Sequence, residues 1–376
     1  MAKVALITGV NGITGSAILD HLVKHTTSEE WSRIVITSRS PLALDVKDPR
    51  VEFIALDFSK PKDHLIQDMS LVCAAVTHAY FSSYIHKDTF TELNIANQSL
   101  FENFLEALLA VAMNLQNCTL QTGGKYYNVH LRPVPTPARE DQPRLVTAEH
   151  NFYYHQEDFL MEKQRGSSWT WNVIRPQAII GCAVKPNGMN EALTLALYFL
   201  ICKELGTEAR MPTNWSYWNG VDDISDARLI ADLSVFASTQ PQCINQAFNI
   251  SNGDHFSWRY MWPRLADYFG ASASSDQSFS KKDLVQGESH LEPSLDEWAN
   301  DKRAVWDRLC DKAGVPQAKS TFDAGTWPFQ DWVFCRTWNV TLSMGKARKF
   351  GWTGHLDSYD SFIDAFKKFK ELGQIP

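Results

Sequence analysis

Val4-Ala5-Leu6-Ile7-Thr8 is a short apolar run of strand type, and Gly9-Val10-Asn11-Gly12-Ile13-Thr14-Gly15 follows it without a spacer. Gly9, Gly12 and Gly15 make a G-x-x-G-x-x-G turn, and residues 16–23 read as the helix that the turn opens. No other feature narrows the fold so far. The first glycine permits a tight turn, the second lets backbone N–H groups approach a pyrophosphate, and the third lets helix pack on strand. The helix start then faces the anion with the positive end of its dipole. The segment therefore reads as a dinucleotide-binding turn.

Which dinucleotide is expected follows from the second strand, residues 33–37. An enzyme that takes NAD carries an acidic residue just after this strand for the ribose 2′-hydroxyl. This chain has Ser38-Arg39-Ser40 instead. A guanidinium flanked by two hydroxyls suits a 2′-phosphate, so NADP(H) is the expected cofactor. Residues 51–56 form a third strand, and Asp57 at its C-terminal end is a candidate adenine contact. The glycine spacing resembles that of extended short-chain dehydrogenases, which implies a nicotinamide cofactor and not a flavin.

Composition excludes several classes. The chain has 376 residues, a net charge of −7 and 44% hydrophobic residues, which suits a globular enzyme with a large core and gives no basic field for nucleic acid. Seven cysteines at 73, 118, 182, 202, 243, 310 and 335 contain no C-x-x-C pair, so a reducing compartment and no structural metal are expected. The first strand begins almost at the N-terminus, leaving no room for a secretory leader. Residues 192–202, the longest apolar stretch, are too few to span a bilayer and read as a buried helix. A cytoplasmic protein without a membrane partner is the expectation, with a homodimer left open.

Strand and helix signals alternate through the first half: helices near 14–26, 88–114 and 155–165, with strands near 33–37, 51–56, 71–76, 118–121 and 169–174. Such alternation specifies an α/β fold, a Rossmann-type, doubly wound parallel sheet. After Arg175-Pro176 the pattern loosens into helices near 188–204, 222–238, 257–269 and 295–313. Thirteen Trp residues, concentrated beyond position 165, favour an apolar cavity in that half. The expected division is an NADP(H)-binding domain over 1–180 and a smaller, mainly helical substrate-binding region over 181–376. Part of 205–255 is expected to return to the sheet.

A short-chain dehydrogenase normally pairs a Tyr with a Lys four positions later on one helix. Here Tyr153 is followed at that distance by Glu157, and Tyr154 by Asp158. A carboxylate in that place would raise a tyrosine pKa. Lys125, in Leu120-Gln121-Thr122-Gly123-Gly124-Lys125-Tyr126-Tyr127, is the alternative cation.

With that segment the chain resembles the plant progesterone 5β-reductase and iridoid synthase-like enzymes, the PRISE family. Their motifs run L-Q-T-G-x-K-H-Y, E-D-x-P-R-L and N-F-Y-Y-x-x-E-D, matched here by residues 120–127, 140–145 and 151–158. The likeness continues through residues 171–176, 201–203, 223–227, 245–254 and 343–351. It implies Tyr153 and Lys125 as the catalytic pair. It further implies cofactor contacts from Asn11, Gly12, Ile13, Ser38, Arg39, Asp57, Phe58, Ser83, Gln121, Tyr153, Ile179 and Met189, beside Gly9 and Gly15 of the turn. Family members usually carry two arginines where Ser38-Arg39 stand, so the preference for NADPH is expected to be weaker here but kept. They carry His where Tyr126 stands and differ over residues 182–190, so the substrate does not transfer with the motifs.

The implied reaction is NADPH-dependent reduction of an activated C=C bond, by hydride addition to a small, apolar enone or enal. The same groups also suit reduction of the carbonyl itself, or a cofactor-assisted isomerisation or cyclisation. From another class comes a non-catalytic NADP(H) sensor, which would have no reason to keep Lys125 and Tyr153 together.

Overall fold

Hydrophobic runs whose alternate side chains face opposite ways become strands buried on both faces, and in this chain they assemble into one seven-stranded parallel sheet. The computed structural model describes residues 2–87, 89–147 and 150–376. Its strands are β1 (Lys3–Thr8), β2 (Trp31–Ser38), β3 (Val51–Ala55), β4 (His78–Phe81), β5 (Asn117–Gln121) and β6 (Thr170–Pro176). The short β7 (Ile179–Ile180) and β8 (Ser225–Asp226) pair with each other, and β9 (Gln246–Ile250) completes the main sheet in the order β3-β2-β1-β4-β5-β6-β9. Leu6, Val35, Ala79, Leu120 and Val173 point to one face, Ile7, Ile36 and Tyr80 to the other. That alternation is the period of a strand, and burial of both faces is the mark of a parallel sheet.

The helices are α1 (Ile13–His25), α2 (Lys62–Ser70), α3 (Phe90–Val111), α4 (Phe152–Gln164), α5 (Glu191–Leu205), α6 (Trp215–Asn219) and α7 (Ala227–Thr239). They continue with α8 (Trp258–Phe269), α9 (Leu295–Ala299), α10 (Arg303–Lys312), α11 (Trp327–Phe334), α12 (Gly345–Lys349) and α13 (Ser358–Glu371). α2 and α3 cover one face of the sheet, while α1 and α7 pack together on the other. α5 is buried on every side from Glu191 to Cys202 and forms the centre of a second, helical core with α8, α10 and α13. No described helix is long and apolar enough to cross a membrane.

Several expected elements are corrected. Residues 71–76 form no strand: they turn after α2, with Cys73 and Val76 anchored in the core and Leu71 89% exposed. The strand is the next segment, where buried His78 lies edge-on to Trp31 and its Nδ1 meets Thr77 Oγ1 at 2.9 Å. The helix expected from 88 starts at Phe90, capped by Thr89, and residue 88 lies outside the described residues. The helix expected over 155–165 begins earlier, at Phe152, because the Asn151 side chain caps it. The helix expected from 188 starts only at Glu191, behind the cap of Asn190. Residues 222–226 are extended, since β8 pairs with β7, so α7 starts only at Ala227. Residues 300–302 divide the last expected helix into α9 and α10.

One buried ion pair joins the end of the sheet to the helix beside it. Arg175 of β6 donates to Glu157 of α4 from Nε (3.1 Å) and from Nη2 (2.6 Å), with both side chains almost wholly buried. The guanidinium also lies 3.4 Å from the centre of the Tyr126 ring and donates to the Tyr127 hydroxyl at 3.2 Å. Breaking such a pair leaves an uncompensated charge and costs about 3–5 kcal/mol. Glu157→Gln is expected to lower unfolding stability, read by urea denaturation, by that amount. Replacing both partners by apolar residues of similar volume should restore most of it; equal losses in the single and double variants would refute this account.

Candidate active site

Where strand order reverses, between β1 and β4, a cleft of about 630 Å³ lies beyond the carboxyl ends of the strands. All fifteen residues singled out from the sequence line it. Gly9 has φ 67°, a conformation that side chains disfavour, and a Cβ there would stand 2.9 Å from Ser82 O. A Cβ on Gly15 would meet Gly9 O at 2.4 Å, whereas one on Gly12 would meet it at 3.2 Å. Gly15 is thus required by packing. Gly12 caps α1 without a side-chain hydrogen bond and leaves the first-turn N–H groups facing the cleft, a cradle for an anion.

The next strand end is organised by Asn11. Its Nδ2 donates to Ser38 Oγ (2.9 Å), Ser40 Oγ (3.0 Å) and Pro41 O (3.0 Å), and its Oδ1 accepts from Ala43 N (3.0 Å). Asn11 therefore positions the Ser38-Arg39-Ser40 loop, and Arg39 projects as an exposed cation. A carboxylate does stand within its reach. Burial opposes ionisation of Asp57, but hydrogen bonds from Ser59 and the charges of Arg39 and Lys60 hold its pKa below the ordinary value. Phe58 lines the cleft from the core, packed edge-on against Phe104.

Ser83 follows β4 and Gln121 ends β5, and among the described residues Gln121 Oε1 is buried without a hydrogen-bond partner. A glycine cradle and an orphaned acceptor suit the pyrophosphate and a sugar hydroxyl of a dinucleotide. Ile179 contributes from β7, and Met189, at φ 57°, is fixed by its N–H donating to Thr326 Oγ1 at 3.0 Å.

Tyr153 and Lys125 both line the cleft near the end of β5. A Cβ on Gly123 would lie 3.2 Å from the Tyr153 hydroxyl, so that glycine makes room for the phenol. The hydroxyl bonds to no protein group among the described residues. Burial, with Tyr84 adding to it, pushes its pKa well above the ordinary tyrosine value. Lys125 sits over the Trp332 ring, 5.1 Å from its centre, and burial lowers its pKa. The expectation that Glu157 acts on Tyr153 is corrected, because that carboxylate turns into the sheet and meets Arg175. Tyr154 turns away as well, its hydroxyl bonded to Asn128 Nδ2 (2.9 Å) and Tyr126 O (2.8 Å).

The opposite wall was not legible in sequence. It includes Tyr84, Phe329, Trp332, Val333, Glu191, Asp222 and Arg336. Phe329 and Trp332 are three residues apart on α11, the only helical spacing signal among them, and Arg336 belongs to no motif. The expected Trp-lined cavity is corrected. Trp218, Trp258, Trp262 and Trp306 are fully buried core, with indole N–H groups such as those of Trp262 and Trp306 bonded to the carbonyls of Ala209 and Ala318. Trp332 alone of the Trp residues lines the cleft.

The two inner glycines predict different failures. Gly15→Ala should lower the thermal midpoint, because its Cβ has no place beside Gly9 O. Gly12→Val should cost far less stability yet abolish dinucleotide binding by filling the cradle. Thermal unfolding and NADPH titration of both variants check this, and tight binding by Gly12→Val would place the nucleotide elsewhere.

The chain matches the family model described as a PRISE-like Rossmann-fold domain over residues 5–368. It is 57% identical to a short chain dehydrogenase, gsfE, of Penicillium aethiopicum, with the whole of both chains covered. It is 33% identical to an (S)-8-oxocitronellyl enol synthase of Nepeta racemosa, covering 100% of this chain and 93% of that one. To a 3-oxo-Δ(4,5)-steroid 5-β-reductase of Arabidopsis thaliana it is 32% identical, again covering 100% and 93%. With the glycine turn, the Tyr153–Lys125 cleft and this likeness along its whole length, the chain belongs to the PRISE-like family and is an oxidoreductase of the short-chain dehydrogenase/reductase class.

Proposed function

We propose that this protein is an NADPH-dependent reductase of activated C=C bonds, adding hydride to the alkene carbon of an enone or enal. The observation that carries the reading is the unpartnered Tyr153 hydroxyl, which faces the dinucleotide cleft beside Lys125. The names of two relatives agree with it: one reduces a steroid whose 4,5-alkene is conjugated with a 3-oxo group, the other produces an enol.

Bound in the cleft, the cofactor supplies the hydride. The chain's own groups do the rest. With its pKa raised, Tyr153 stays a neutral phenol, able to donate to the carbonyl oxygen of the substrate. As hydride adds to the β-carbon, the alkene electrons move to that oxygen, and the phenol stabilises the enolate as its charge develops. A proton at the α-carbon completes the reduction. Lys125 provides positive potential near the same oxygen, and Phe152, Val129, Trp332 and Val333 exclude water from it. Ser38, Arg39 and Ser40 favour NADPH over NADH through the 2′-phosphate.

Tyr153→Phe should keep NADPH affinity nearly intact while turnover of a poorly activated enone falls roughly 10²-fold or more, the value of one oxyanion donor. Deuterium from labelled cofactor should appear at the β-carbon; label on the carbinol carbon would make the enzyme a carbonyl reductase. Tyr154→Phe, which removes two internal hydrogen bonds, is the control, with a stability loss of about 1–3 kcal/mol and little change in rate.

Arg39→Ala should narrow the preference for NADPH over NADH by about 1–3 kcal/mol. Equal affinity of the unaltered protein for the two cofactors would remove the 2′-phosphate argument.

A further inference from the structure

Lys125 and Arg336 both line the cleft, and among the described residues neither has a carboxylate within salt-bridge distance. Arg336 donates from Nε to Val333 O and from Nη2 to the Tyr217 hydroxyl, each at 3.0 Å. A guanidinium has five N–H groups, so three remain without a protein acceptor. Among the described residues the Lys125 ammonium meets only the Trp332 ring. Partly buried charges of this kind are normally paired, and an unfilled donor fork points to an acceptor supplied by a ligand.

The nearby acids, Asp222 and Glu191, act on Arg336 through their charge without pairing with it directly. Asp222 Oδ2 already accepts from the Tyr217 hydroxyl (2.5 Å) and Trp258 Nε1 (3.0 Å), and its Oδ1 accepts from Asp223 N (3.0 Å). Burial first, then the Asp222 charge, pushes the Glu191 carboxyl up to about 8 against the pull of Arg336. His130 adds no countercharge. Its two ring nitrogens are buried and unpartnered, and burial together with Lys125 and Arg336 lowers its pKa to about 4. Asp222 meets Arg336 only through the Tyr217 hydroxyl, so the open N–H groups of the guanidinium stay free for a ligand.

The cofactor's phosphates are not the missing anion. Their places follow β1 and β2, which in the order β2-β1-β4-β5 are two and three strands from the end of β5 that carries Lys125. At the spacing of neighbouring strands that is about 10 and 14 Å.

We propose that the natural substrate is an enone that also carries a carboxylate, which docks on the Arg336 fork within the positive field of Lys125. This rests on the reductase reading above and replaces its small, wholly apolar substrate with an acidic one. The planar guanidinium matches a carboxylate through paired N–H donors, which an ammonium cannot reproduce.

Calorimetric titration of the protein, with and without NADP⁺, by cyclohex-2-enones bearing a carboxylate on tethers of increasing length, each beside its methyl ester, tests the site. At the best tether the acid should bind roughly tenfold or more tightly than its ester. Arg336→Gln should collapse that ratio towards one, and Arg336→Lys should retain only part of it. Esters that bind as tightly as acids at every tether, or a preference that survives Arg336→Gln, overturn the proposal. Should Arg336→Gln fail to fold, the ratios of the unaltered protein and of Arg336→Lys still decide it. NADPH consumption with the same compounds reads the reductase assignment separately: an intact preference for acids without turnover of any probe sinks the reductase reading alone.

Discussion

The buried guanidinium of Arg175 is the contact on which the arrangement of the site depends. It leaves β6, stacks on Tyr126, donates to the Tyr127 hydroxyl and meets Glu157 of α4. One side chain thereby ties the turn that holds Lys125, residues 124–127, to the helix that holds Tyr153. Asn151 adds a second tie, its Nδ2 donating to Lys125 O at 2.8 Å while its Oδ1 caps the helix at Tyr153 N. Two catalytic candidates from separate segments are held in one place because the charge between those segments cannot be left unpaired in the interior.

This connection explains a feature that looks like a defect in the sequence. A carboxylate four residues after the tyrosine would oppose catalysis if it faced the cleft. It faces the sheet, where it neutralises Arg175, and the position usually given to a catalytic lysine serves structure. A cation lining the same cleft as the phenol comes instead from the turn after β5, because the strand ends converge there.

The two ends of that cleft differ in how they are built. The dinucleotide end is made of backbone: a glycine turn, a helix start and a loop pinned by Asn11. The far end is made of side chains from α5, α11 and the segments after them, with the charges of Lys125, Arg336, Asp222 and the acid of Glu191 set among aromatic rings.

The candidate pair Tyr153 and Lys125 came from the resemblance to the family's motifs. The sequence by itself determined the parallel sheet and the dinucleotide turn, which rest on local requirements: glycines where no Cβ fits and alternating apolar strands. It misread residues 71–76, whose apolar side chains serve a buried turn, and the tryptophans, most of which fill the helical core instead of lining a cavity. Only the tertiary structure decided that Glu157 faces Arg175, that Asp57 comes within reach of Arg39, and that Arg336 and Glu191 share a wall with Lys125. Those pairings join residues far apart in the chain, and their charge states depend on burial that no local pattern encodes.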